Sequence, residues 1–186
     1  MINTDLTAAP VYFAGDIRNE DFLNALLPAA PFKIRGVVFS ASNPPCGISE
    51  YAVFVKERGL TLLVDLCGAA QGEITAAATE LVNSGASVKF ISDDIEVLKT
   101  LKSRFCEADF LLRSEFFDVT VVPALLINGF SADVYYDKLT LERVRDLHGL
   151  GIKTFCHGVK EADVAALLAF YGADGIITDN PRVFKV

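Results

Sequence analysis

Short apolar runs recur at fairly even intervals along this chain, and stretches of mixed polarity separate them. Each run is rich in Val, Ile, Leu, Phe or Tyr, and several are almost apolar on both faces, which is typical of strands covered on both sides. The pattern therefore predicts eight buried strands. They are Val11–Ala14, Gly36–Ala41, Thr61–Leu66, Ser87–Ser92, Asp109–Arg113, Ala132–Tyr136, Ile152–His157 and Asp174–Thr178.

Most of the stretches between these runs have the periodicity of helices. In the last of them, Val164, Leu167 and Leu168 share one face, and Gly172 marks the end. The segment Ser114–Gly129 is the exception, because its many apolar residues follow no clean period, and we expect it to be irregular. The predicted helices are Asn19–Leu27, Ser49–Arg58, Glu73–Asn83, Asp94–Arg104, Thr140–Leu147 and Lys160–Tyr171.

Strands that alternate with helices through short connections favour a parallel sheet. Eight such units fit a compact, trimmed (β/α)8 barrel of the TIM type, in one domain over residues 1–186. Barrels of this kind typically take about 250 residues, so several units must be shortened here. An open doubly wound sheet is the alternative that this pattern leaves open.

The composition is that of a folded, acidic protein. Hydrophobic residues make up 52% of the chain, and the formal net charge is −7. We expect no nucleic-acid partner, because phosphate binding needs a basic face and the chain has no Lys/Arg cluster.

No apolar run approaches the roughly 20 residues that span a bilayer, and the first ten residues lack the pattern of a signal peptide. A cytoplasmic protein without a membrane span is therefore expected.

The four cysteines, Cys46, Cys67, Cys106 and Cys156, give little indication of chemistry. No two of them have the close spacing of a zinc or redox site. Free cysteines in such a chain are usually core residues, so we expect buried, reduced thiols.

The segment Leu139–Pro181 resembles the closing units of the glycerophosphodiester phosphodiesterase barrels. The family's eighth-strand signature, Gly-x-Asp-Gly-Ile-Ile-Thr-Asp-x-Pro, is complete over Gly172–Pro181, and the helix and strand before it are also similar. The likeness covers about a quarter of the chain. It implies a barrel fold, hydrolysis of phosphodiesters, and a place in lipid metabolism. In that family two histidines act as acid and base, and carboxylates hold a divalent metal against the phosphate.

Upstream, most residues that the family uses for chemistry are replaced. Phe13–Gly15 stands where the family has His-Arg-Gly, and Val38 and Ser40 stand where it has Glu-x-Asp. No histidine follows in the segment Ser42–Gly47. The resemblance therefore implies a degenerate member, a pseudoenzyme that lacks the acid-base histidines and the metal site. We expect no cofactor, and a divalent metal only if hydrolysis has survived.

Functional side chains of such barrels gather at the C-terminal ends of the strands. His157, which replaces the family's Trp, and Asp65, which matches its third-strand acid, are the catalytic candidates, and Asp65 is also the candidate metal ligand. Asp16, Arg113 and Lys138 are candidates for ligand binding, because the two cations can receive an anion such as phosphate. A solvated rim with structural ion pairs is the alternative for each of them.

Three functions follow from these observations. The first is a phosphodiesterase-like barrel that binds a small phosphorylated or polyol ligand, or a protein partner. The second is an active phosphoric diester hydrolase that uses substitute residues. The third is a structural protein that forms a homo-oligomer through an apolar patch containing Phe116, Phe117 and Phe130.

Overall fold

The strands form a closed parallel barrel in chain order, from β1 to β8. The computed structural model describes residues 10–15, 33–43, 47–115 and 120–180. Val11 on the first strand pairs with Ile176 on the last, which closes the cylinder. The predicted barrel is confirmed, and the open-sheet alternative is wrong. The strands are β1 Pro10–Ala14, β2 Lys33–Ser40, β3 Thr61–Asp65, β4 Ser87–Ser92, β5 Asp109–Ser114, β6 Ser131–Tyr135, β7 Thr154–His157 and β8 Gly175–Thr178.

Helices follow most of the described strands, as the periodicity predicts. They are α1 Ile48–Glu57, α2 Gln71–Asn83, α3 Ile95–Arg104, α4 Val121–Asn128, α5 Leu141–Gly149 and α6 Ala162–Tyr171, with a short 3-10 helix over Tyr136–Lys138. The predicted helix Asn19–Leu27 lies outside the described residues. In the described part of the chain, no helix is long and apolar enough to cross a membrane.

Helix α4 lies in the segment that we expected to be irregular, so that expectation is wrong for Val121–Asn128. The helix is apolar almost all round, and such a helix has no polar face to give a period. Pro123 falls in its first turn, where proline is tolerated. Gly129, with φ of 60°, ends the helix in the left-handed conformation.

Alternate residues of each strand bury two different faces of the barrel wall. Outward-facing residues such as Phe13 and Val64 pack against the helices in the larger apolar cluster. Tyr51 of α1 belongs to this layer, and its hydroxyl donates a hydrogen bond to the carbonyl of Gly15 at 2.6 Å. Phe130 is also in this layer and only 3% exposed, so it cannot belong to the exposed aromatic patch considered above.

Inward-facing side chains from seven strands form a second apolar cluster inside the barrel. The remaining strand, β6, places the charged residue Asp133 there. Asp133 is in register with Phe155 on β7, and neighbouring parallel strands in register point their side chains to the same face. A carboxylate thus joins the interior, and Arg113, its partner in register on β5, points to the same face. The apolar members are Tyr12, Val38, Leu63, Ile91, Leu111, Phe155 and Ile177.

Gly175 makes room for the aromatic rings of this interior. The rings of Tyr12 and Phe155 lie 5.9 Å apart. A Cβ atom on Gly175 would overlap the Phe155 ring and press on Tyr12. The glycine that opens the last strand is therefore a packing requirement of the barrel.

Candidate functional site at the barrel mouth

Four polar side chains meet at the C-terminal end of the barrel, and we call them the mouth network: Asp65, Arg113, Asp133 and His157. Asp65 and His157 are the last residues of β3 and β7, and Arg113 is next to last in β5. Asp133 lies two residues before the end of β6 and is in register with Arg113. Barrel closure brings together residues that are far apart in the sequence.

Arg113 joins the two carboxylates of the network. Its Nη1 donates to Asp65 Oδ2 at 2.7 Å, and its Nε donates to Asp133 Oδ2 at 2.7 Å. Burial alone would lower the pKa of the guanidinium, but the carboxylates of Asp133 and Asp65 raise it above its ordinary value. Arg113 is therefore a fixed cation, and its charge is already balanced by Asp65 and Asp133.

Asp133 also anchors His157. The Asp133 side chain is fully buried, and its Oδ1 lies 3.0 Å from His157 Nδ1. A buried carboxylate is costly unless it is paired and hydrogen-bonded, and here each oxygen has a partner. An ionised carboxylate can only accept, so His157 Nδ1 carries the hydrogen and Nε2 of the neutral ring is an acceptor. Nε2 is thereby left to accept a hydrogen bond from a ligand.

Tyr135 lies beside His157 at the same end of the barrel. The two rings meet edge to face with centroids 5.6 Å apart, and Tyr135 is partly exposed. Gly158 has φ of 78°, and a Cβ atom there would overlap the Tyr135 ring. The residue after β7 must therefore be glycine-sized, because the Tyr135 ring occupies the space that a side chain would need.

Lys138 follows β6 in the 3-10 helix but lies apart from the network. Its Nζ is 3.3 Å from Asp137, and both side chains are about half exposed. In this position Lys138 can bind a negatively charged group only at the exposed outer edge of the mouth, which we call the rim. The remaining ligand-binding candidate, Asp16, lies outside the described residues.

Cys67 adds little reactivity to the mouth. Its Sγ lies 3.6 Å from Arg113 Nη1, and its backbone N–H donates to Asp65 Oδ1 at 3.1 Å. Burial, followed by the Asp65 carboxylate, raises the pKa of the Cys67 thiol to about 12. The thiolate is the nucleophile and the metal ligand, so a neutral thiol does neither well.

The expectation of buried cysteines holds for one of the three described cysteines. Cys156 is buried, Cys67 is intermediate and Cys106 is exposed, which makes the expectation wrong for Cys106. All three are free thiols. Cys106 lies in the turn after α3, and exposure there leaves it the thiol most open to reagents. Cys46 lies outside the described residues.

Small or apolar side chains occupy the strand ends at which the sequence resemblance predicted the positions of the family's His-Arg-Gly and Glu-x-Asp. Ala14 packs against the interior cluster, and Val38 is a member of it. Ser40 lies with its Oγ 3.2 Å from that of Ser42. These three residues offer neither a charge nor an imidazole to a phosphate.

The residues described do not fit a divalent metal. Magnesium and calcium need six or more oxygen ligands around one point, from protein or water. The oxygens of Asp65 and Asp133 are already bonded to Arg113, to His157 and to the Cys67 amide. Over the described ranges, no group of three acidic, His or Cys side chains is placed to hold a metal.

Sequence reasoning found Asp65, Arg113 and His157, because each lies at the end of an apolar strand. It missed Asp133, which lies inside β6 and not at its end. The available signal was the alternation in Ser-Ala-Asp-Val-Tyr, where an acidic residue occupies an inward position between two apolar ones. The cost of burying that charge already required a cation nearby.

No protein-family model matches the chain, and no curated protein matches it. Solved structures do match. A candidate glycerophosphodiester phosphodiesterase from Galdieria sulphuraria has a TM-score of 0.76 at 11% identity, covering 96% of each chain. A phosphodiesterase from Oleispira antarctica, in complex with the product sn-glycerol-3-phosphate, has a TM-score of 0.62 at 15% identity, covering 72% of this chain and 57% of that one. A glycerol uptake operon antiterminator-related protein from Thermotoga maritima has a TM-score of 0.67 at 17% identity, covering 97% of this chain and 100% of that one.

These comparisons show that the chain has the fold of the glycerophosphodiester phosphodiesterases, as the resemblance in Leu139–Pro181 implies. At such low identities the likeness extends to the fold alone. The chain spans little more than half the length of the Oleispira protein. The activities of the three proteins therefore do not transfer to this chain. Its function depends on the residues at its own barrel mouth.

Proposed function

We propose that this protein is a phosphodiesterase-like barrel that binds a small polyol, or the phosphate ester of one, at its mouth without cleaving it. One observation carries the proposal: Arg113 is bonded to Asp65 and Asp133, and His157 is fixed by Asp133, within a single network. With His157 neutral, the network has one net negative charge. The partly exposed Asp65 carboxylate, which has further lone pairs, and the His157 Nε2 acceptor suit the hydroxyl groups of a polyol better than a free phosphate ion.

The surroundings of the network favour the same ligand class. The partly exposed Tyr135 ring offers an apolar face to the C–H groups of a polyol chain. Lys138 is on the rim, where it can receive a phosphate that extends outward. Two proteins of the same fold add support, since one is bound to sn-glycerol-3-phosphate and the other is related to a glycerol uptake operon antiterminator.

Calorimetric titration with sn-glycerol 3-phosphate, glycerol and inorganic phosphate tests this proposal. We expect saturable binding of the polyol phosphate and weaker binding of inorganic phosphate. The variant His157→Gln should weaken binding roughly fivefold to tenfold, the value of one neutral hydrogen bond. The control is His148→Gln, since His148 lies on α5 and bonds Asp174 at 2.7 Å, outside the network. Equal effects of the two variants would refute a ligand site at the mouth.

The His157–Asp133 pair supports hydrolysis as a second candidate function, because an imidazole oriented by a buried carboxylate is suited to general base catalysis. An assay on glycerophosphodiesters with Mg²⁺, Mn²⁺ or Ca²⁺ separates the two functions. The binding proposal expects no turnover above the rate without protein. Metal-dependent turnover that Asp65→Ala abolishes would replace it with the hydrolase.

A further inference from the structure

The two carboxylates of the mouth network converge on one cation. Asp65 comes from β3 and Asp133 from β6, yet the Oδ2 atom of each lies 2.7 Å from a nitrogen of Arg113. The other oxygen of each carboxylate is bonded as well, to the Cys67 amide and to His157. A cation therefore holds this site together, and the chain itself supplies it.

We propose that Arg113 is a built-in cation that takes the electrostatic role of a divalent metal at the mouth and keeps such metals out. Two carboxylates in a partly buried site repel each other unless a positive charge lies between them. The rigid guanidinium fork reaches one oxygen of each carboxylate and cannot lose its proton in a protein. A metal would need those same oxygens and would be repelled by the fixed charge.

This inference goes beyond the proposed function and stands without it, because it concerns the cation and not the ligand. It has one direct consequence. Replacing Arg113 by an uncharged residue frees the Oδ2 atoms of Asp65 and Asp133 next to the His157 imidazole. Carboxylate oxygens with an imidazole suit a transition ion such as Mn²⁺. The variant should therefore gain a metal site that the native protein lacks.

The experiment is a calorimetric titration of the native protein and of Arg113→Met with MnCl₂, with thermal denaturation of each in Mn²⁺ and in EDTA. The native protein should show no saturable binding and no shift in Tm. Arg113→Met should show saturable Mn²⁺ binding, with a Kd at least roughly tenfold below the highest Mn²⁺ concentration at which the native protein shows none, and a higher Tm in Mn²⁺ than in EDTA. The double variant Arg113→Met, Asp133→Asn should lose that binding, and Arg143→Met, which removes a surface arginine, should behave as the native protein does.

The native measurement requires no variant to fold. Saturable Mn²⁺ binding by the native protein that Asp65→Asn removes would overturn the inference. The inference would also be overturned by a folded Arg113→Met variant whose Mn²⁺ affinity and Tm in Mn²⁺ equal those of the native protein. Ligand binding is a separate readout, so the two proposals can fail independently.

Discussion

Asp133 links two members of the mouth network, because one of its oxygens bonds Arg113 and the other bonds His157. It is fully buried, and Arg113 is only 20% exposed. Removing one member of a buried pair leaves the other charge without compensation, which costs more than the pair itself contributes. The stability of this protein should therefore depend on the mouth as well as on the apolar core.

The variant Asp133→Ala should lower the free energy of unfolding by about 3 kcal/mol, because it leaves Nε of the largely buried Arg113 and Nδ1 of His157 without their acceptor. Urea denaturation followed by circular dichroism measures the change. The matched control is Asp137→Ala, four residues along, where the carboxylate is half exposed and pairs with Lys138 at 3.3 Å. That control should change stability by less than about 0.5 kcal/mol. Similar losses in both variants would contradict the structural role of Asp133.

Cys67 and Cys106 should differ in their reaction with iodoacetamide at pH 8. The pKa of Cys67 is raised to about 12, so below that pH the folded protein holds it as the unreactive thiol. Cys106 is exposed and open to the reagent. Peptide mass spectrometry should find Cys106 modified first, and the Cys67 rate should rise only as pH approaches 12. Modification of Cys67 at the Cys106 rate near neutral pH would show that the mouth is more open than described.

At the scale of the elements, glycines at strand ends set the shape of the barrel interior. Gly175 begins β8, where the Phe155 and Tyr12 rings occupy the space of a side chain. Gly158 follows β7, where the Tyr135 ring does the same. Gly175 faces the interior rings, and Gly158 comes directly after His157, so packing and site geometry are coupled at these positions.

Gly175→Ala should destabilise the protein by about 1–3 kcal/mol, the usual cost of overpacking a core. Gly149→Ala is the control, because a Cβ atom there meets nothing within 4 Å and the residue ends α5. That change should be neutral or slightly stabilising, since alanine restricts the unfolded chain. Thermal denaturation distinguishes them, and a Tm for Gly175→Ala equal to the native value would mean that the rings can move aside.

The strands were predictable because buried parallel strands are apolar on both faces, and the predicted Ser87–Ser92 coincides with β4. Helix α4 was not predictable from the sequence, because an almost wholly apolar helix and a loop of apolar residues have similar patterns. The mouth was predictable only in part. Strand ends identify Asp65, but no local pattern shows that Arg113, 48 residues later, bonds it.

At the scale of the whole molecule, the barrel provides a frame whose mouth carries two carboxylates joined by one guanidinium. The described residues combine the fold of the phosphodiesterases with an arginine bonded to the carboxylates that a metal would need. Ligand binding by this chain should therefore require no metal, which is the central claim of the account.

Calorimetric titration with sn-glycerol 3-phosphate in EDTA, repeated in Mn²⁺, tests this claim most directly. We predict saturable binding with the same Kd under both conditions and no release of glycerol in either. Binding or cleavage that occurs only with the metal would contradict the account.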